Sequence, residues 1–185
     1  MRINIVGTSG CGKSTVAERL ARKLGVPYIE MDELFWGPNW SEPGDEAFFP
    51  KVEQALSEES WVLAGNYSRT RHIKWRRAQL VVWLDLPFYI VFYRIIRRSL
   101  IRGFKKETLW AGNTESIWKH LFTRDSMILW TIKTFRKNRK RYSTQFSQEL
   151  EALGIRCVRL RSRKEVEEFI EAQSSMLKMA LVSVP

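Results

Sequence analysis

Residues 7–14 read Gly7-Thr8-Ser9-Gly10-Cys11-Gly12-Lys13-Ser14 and fill every fixed position of the pattern G-x-x-x-x-G-K-[ST]. The glycines let the backbone curl until successive N–H groups point at one anion. A helix opening near Lys13 adds the positive end of its dipole. The chemistry such a set performs is the cradling of a polyphosphate. Lys13 is expected to bridge the β- and γ-phosphates of ATP, with the Ser14 hydroxyl on Mg²⁺. All eight residues, and Thr15 after them, are nucleotide-binding candidates.

A magnesium site of this kind needs an acidic partner, and the sequence offers three. Asp85 ends the apolar run Leu80-Val81-Val82-Trp83-Leu84, whereas Glu30 and Asp32 follow another short apolar run. Ligands of parallel sheets gather beyond the strand C-termini, so any of the three suits the phosphate site. Asp85 has a second reading, as the cap of a helix beginning near Pro87. Arg69 and Arg71 are candidates for an anionic group on an acceptor molecule. Phe35, Trp36 and Trp40 read equally as a stacking wall for a planar acceptor and as core. Cys11 lies inside an anion-binding loop, which predicts a somewhat acidified thiol.

These groups have to be held by a scaffold, and the apolar pattern supplies one. Arg2–Val6 is a strand-length run that stops at Gly7, and Val16, Ala17, Leu20, Ala21 and Leu24 follow at helical spacing. Further strands are expected at Val26–Met31, Trp61–Ala64, Leu80–Leu84 and Ile155–Leu160. Helices are expected at Gly12–Leu24, Glu46–Glu59, from Pro87 to a stop at Gly103, at Ser126–Leu153, and from Arg163 to about Gln173. Residues 38–46 read as loop. Alternating strands and helices predict an α/β, three-layer fold, with a five-stranded parallel sheet covered on both faces. About seventy residues separate the last two strands, so a helical lid insertion is expected there. The reading is a single domain over 1–185, with core at about 1–102 and 126–175 and a lid at about 103–125 that is mobile without ligand.

The composition bounds the partners. The net charge is +11, and residues 69–141 concentrate it, with 19 Lys/Arg against 4 Asp/Glu. A positive field of that kind attracts ATP, a phosphorylated metabolite or nucleic acid, and charge alone does not choose among them. Most of Arg136–Arg141 reads as a solvated face. Two cysteines without a CxxC pair and two separated histidines give no zinc spacing. They suit buried or loop thiols in a reducing cytoplasm. The most apolar stretch, 78–96, is interrupted by Asp85, Pro87 and Arg94, and reads as a strand followed by a helix rather than a membrane span.

The chain resembles the small P-loop kinases related to adenylate kinase, and most closely the group labelled DNA topology modulation proteins. The resemblance rests on the loop Gly7–Ser14, on Met31-Asp32-Glu33-Leu34-Phe35-Trp36 with Pro38-Asn39-Trp40, on Gly65-Asn66-Tyr67, on Trp83-Leu84-Asp85 with Pro87, and on Arg94-x-x-x-Arg98. It implies phosphoryl transfer from Mg-ATP to a small acceptor, with Arg94 over the adenine, Arg98 on phosphates and Asp32 facing the acceptor. Lys13, Arg98 and Asp32 are then the catalytic set. The family label carries a second expectation, a basic nucleic-acid-binding protein with ATP as regulator. One position departs from the pattern: Ala64 stands where relatives carry an aspartate that helps hold magnesium-bound water.

Overall fold

Five short runs, β1 (Arg2–Gly7), β2 (Tyr28–Glu30), β3 (Trp61–Ala64), β4 (Leu80–Leu84) and β5 (Arg156–Leu160), pair in parallel in the order β2-β3-β1-β4-β5. The computed structural model describes residues 1–105, 108–113 and 127–182. Strands buried on both faces are apolar at nearly every position, and β3 and β4 are buried throughout. Alternate side chains serve two cores. Ile3, Ile5, Val62, Leu80 and Val82 pack with Val16 and Leu20 of α1 (Lys13–Leu24). Trp61, Leu63, Val81 and Trp83 pack on the opposite face with Phe48 and Val52 of α3 (Asp45–Ala55).

The expected α/β sheet therefore forms, with several differences in its helices. A five-residue helix, α2 (Met31–Phe35), begins where a strand was expected to end, because Met31 and Phe35 fall one helical turn apart and both are buried. The basic run Arg71–Arg77 is helical (α4), and its buried side is Ile73, Lys74 and Trp75. No apolar stripe announces it. Gly103 does not stop α5 (Phe88–Lys105), whose packing is fixed earlier by fully buried Val91 and Ile95. Helix α6 (Met127–Ala152) buries Phe135, Tyr142 and Leu150 and leaves Ile132 exposed. Helix α7 (Arg163–Val182) outruns its expected end at Gln173.

The central strand β1 is flanked by β3 on one side and β4 on the other, which opens a crevice beyond its C-terminal end. Gly7 sits at that end. Of the expected lid, 103–105 continue α5 and 108–113 form a short segment with a 3-10 turn at Trp110–Gly112. The rest of that lid, and its expected mobility, lie outside the described residues. No helix among the described residues is long and apolar enough to cross a membrane.

Candidate active site

The loop after β1 is shaped by its backbone. Gly10 has φ +80, and a Cβ there would lie 2.5 Å from Ile95 Cγ1, so the loop rests directly on α5. Gly12, at φ 97, precedes the first residue of α1 in the left-handed region. Lys13 curls over the loop, and its Nζ donates to the carbonyls of Gly7 (3.1 Å) and Thr8 (3.3 Å). Ser14 and Thr15 are exposed at the start of α1, while Thr8 and Cys11 are buried. Burial raises the Cys11 thiol pKa, with Lys13 a smaller opposing influence. The sequence expectation of an acidified thiol is thus reversed, since the side chain turns into the core. Cys157, expected in a buried or loop setting, lies exposed on β5.

Helix α5 supplies the cations on one side. Arg94 Nη1 donates to the Cys11 carbonyl at 2.9 Å, and Arg98 Nη2 donates to Ser9 Oγ at 3.3 Å. The spacing of four puts both guanidiniums on one helix face. Beside them a cleft of about 740 Å³ is lined by Tyr89, Tyr93, Arg94, Arg97 and Arg98 of α5 and by Arg163 of α7. Arg163 and the two tyrosines were not singled out in the sequence, because their proximity depends on how α5 and α7 meet.

The other side is built from the turn after β3. Gly65 has φ +141, and a Cβ on it would lie 2.4 Å from Met31 Cβ, so only glycine lets the turn approach α2. Asn66 then grips the entrance of the loop twice. Its Oδ1 accepts from Gly7 N (3.0 Å), and its Nδ2 donates to Gly7 O (2.7 Å). The Tyr67 hydroxyl donates to Asp32 Oδ1 at 2.5 Å. Burial, then the Asp32 charge, raises the Tyr67 pKa, so this bond has a fixed direction. Arg69 lies 5.2 Å from the Phe35 ring and pairs with Asp45 at 2.9 Å, which brings it to the Asp32 side. Arg71 does not join it. Its guanidinium pairs with Glu149 at 2.7 Å and covers the Trp75 ring, because α4 turns it toward α6. Phe35 is core, whereas Trp36 and Trp40 are part-exposed and meet edge to face at 5.4 Å.

Asp85 behaves unlike either reading made from the sequence. Its side chain is 3% exposed and is held by Arg139 (3.0 Å) and Arg159 (2.5 Å). Its partners are guanidiniums, not helix amides, so it is an ion-pair centre rather than a cap. The same pairing occupies the carboxylate that a magnesium-positioning role requires. Glu30, 7% exposed, accepts from Tyr28 OH at 2.5 Å. Burial raises the Tyr28 pKa, Glu30 adds to it, and a hydrogen bond with Ser14 opposes it. Tyr28 therefore stands between Glu30 and the start of α1. The described residues hold no cluster of three His, Cys, Asp or Glu side chains suited to a metal. A single hydroxyl, Ser14, with the Glu30 carboxylate suits Mg²⁺, which keeps its waters and takes few protein ligands beside the phosphates.

Comparisons with known proteins bear on this site. A family model described as AAA domain matches residues 3–111. A shikimate kinase of Corynebacterium glutamicum is 36% identical over 98 residues, covering 45% of this chain and 57% of its own. An adenylate kinase of Mycobacterium leprae is 54% identical over 35 residues, 19% of each chain. The match thus spans less than two thirds of the length of either relative. The crystal structure of a shikimate kinase from Bacteroides thetaiotaomicron superposes with a TM-score of 0.54 at 18% identity, covering 96% of this chain and 98% of that one. This likeness shows a shared fold.

Proposed function

We propose, from the premise that this chain belongs to the AAA domain family, that it is a P-loop kinase transferring the γ-phosphate of Mg-ATP to a small acceptor. The observation that carries the reading is convergence on the loop: Arg94 and Arg98 reach it from α5, while Asn66 ties it to the turn bearing Tyr67. Phosphoryl transfer asks a protein chiefly for positioning and for cations around the transferring group. Lys13 and Arg98 supply charge at the phosphates, and Ser14 would hold Mg²⁺, which would add neutralising charge there. Glu30 takes the metal-side acidic role that Ala64 cannot fill. Arg94 and the cleft beside it hold the nucleoside end.

Asp32, oriented by Tyr67, faces the acceptor and takes up its proton or orients its attacking oxygen. The exposed edges of Trp36 and Trp40 and the Arg69 guanidinium complete the acceptor side. Shikimate and adenylate, named in the relatives' activities, are the first acceptors to test. Purified protein should release ADP from Mg-ATP in a manner dependent on one such acceptor. Lys13→Ala should lower that turnover by at least ~10²-fold, the scale of one lost transition-state cation. Failure of both Mg-ATP binding and acceptor-dependent ADP release would overturn the reading.

A further inference from the structure

Lys74, on α4, is 1% exposed, so its ammonium has left water entirely. A buried cation is costly unless it is paired or well bonded. Among the described residues no carboxylate pairs with it, and its bond runs to the main-chain carbonyl of Asn66. Asn66 is the residue whose side-chain amide holds both the N–H and the C=O of Gly7. Gly7 O also receives Lys13 Nζ. A continuous line of contacts therefore joins the buried ammonium, the turn after β3, the first glycine of the loop and the loop lysine.

We propose that Lys74 is a positioning residue for the phosphate loop: it fixes the Asn66 carbonyl, and thereby the amide that clamps Gly7, so that nucleotide affinity is set in part from beneath the acceptor-side turn. The inference rests on the assignment of residues 7–14 as a phosphate loop. Burial, and then the neighbouring Arg71, lower the Lys74 pKa from 10.5 to about 7. Other charged or titratable groups along this line of contacts, among the described residues, include Glu149 of α6, paired with Arg71, the Tyr67–Asp32 pair beyond the turn, and Lys13 at Gly7. Below about pH 7 the bond to Asn66 is charge-assisted; above it a neutral amine donates more weakly.

A double-mutant cycle on the full chain tests this, with Mg-ADP affinity measured by calorimetry. Lys74→Met and Asn66→Ala should each weaken binding by about tenfold, the scale of one charge-assisted hydrogen bond. The double variant should be no weaker than Asn66→Ala alone, because Lys74 acts through that side chain. Additive losses, or no loss in Lys74→Met, would overturn the proposal. A second measurement leaves Lys74 in place and so does not depend on that variant folding. The affinity advantage of wild type over Asn66→Ala should shrink several-fold between pH 6 and pH 8.5, by the weakening of that bond; a constant ratio counts against the proposal. Lys13→Ala separates the two levels. Its weakened binding beside an unaffected Lys74→Met sinks the positioning role alone, whereas Mg-ADP binding indifferent to Lys13→Ala sinks the loop assignment and this proposal with it.

Discussion

Asp85 and Glu30 both stand at the C-terminal ends of strands beside the phosphate loop, and their neighbours give them different work. The Asp85 side chain, 3% exposed, bridges two arginines. Removing the carboxylate leaves two part-exposed guanidiniums without their shared acceptor, and water screens them, so the cost is about 1–3 kcal/mol. Asp85→Asn should therefore lower the unfolding midpoint. Glu30→Gln keeps the hydrogen bond from Tyr28 and removes only a charge near Ser14. It should unfold close to wild type while turnover falls by roughly 10–100-fold, as for loss of a residue that tunes a metal site. Thermal melts and steady-state kinetics on the two variants check the contrast; the reverse pattern would return the metal role to Asp85. The sequence made the three acids visible but not this division. Arg139 and Arg159 lie 54 and 74 residues from Asp85, and no local pattern joins them. Asn66 was quoted only as part of a resemblance, and Lys74 sat unremarked in a basic run. Their roles depend on tertiary contacts. The loop itself was legible because its glycines, lysine and serine are adjacent in the chain.

At the scale of elements, α5 unites the fold with the site. Val91 and Ile95 are fully buried against the sheet, while Arg94 and Arg98, each three residues further on, lie over the loop. Strands β1, β3 and β4 were readable because apolar runs of strand length signal burial on both faces. Helix α4 was not, since its buried positions include a lysine. The end of α5 was misplaced because glycine only weakens a helix that packing already fixes. Arg98 touches Ser9, but Lys140 is exposed on α6. Arg98→Ala should reduce turnover by ~10²-fold or more if the guanidinium stabilises the transferring phosphoryl group, and Lys140→Ala should leave it nearly unchanged. Equal activities in a coupled ADP-release assay would remove Arg98 from the chemistry.

For the whole molecule, the concentration of positive charge over 69–141 is partly consumed within the fold. Arg69, Arg71 and Arg139 pair with Asp45, Glu149 and Asp85, Lys74 is buried, and Arg94 and Arg98 lie on the loop. Part of what the sequence presents as a field for polyanions is therefore engaged within the fold, with Arg94 and Arg98 turned to the loop. Global stability should carry the mark of Lys74. Between about pH 7 and 10.5 the folded chain binds fewer protons at this amine than the unfolded chain, so stability rises with pH across that window. Lys74→Met should lack this rise, a difference of up to several kcal/mol. Urea unfolding of both proteins at pH 7 and pH 9.5 checks it; parallel shifts would show that the buried ammonium costs nothing.

Asn113, buried at 5% exposure, joins two distant stretches of chain. Its side chain accepts from Trp40 N at 2.9 Å and donates to Gly37 O at 2.9 Å and to Trp110 O at 2.8 Å. The segment 108–113 is therefore fastened to the stretch 37–40, on the side proposed for the acceptor. For redesign, this makes 36–40 and 108–113 a single cassette. Transplanting 36–40 from a kinase of different acceptor specificity leaves Asn113 facing foreign backbone with only its bond to Trp110 O assured, and a buried polar group that loses its partner costs about 1–3 kcal/mol. Such a chimera should melt earlier and accept neither substrate well. Moving both stretches together should restore the melting temperature and transfer the donor's acceptor preference with it.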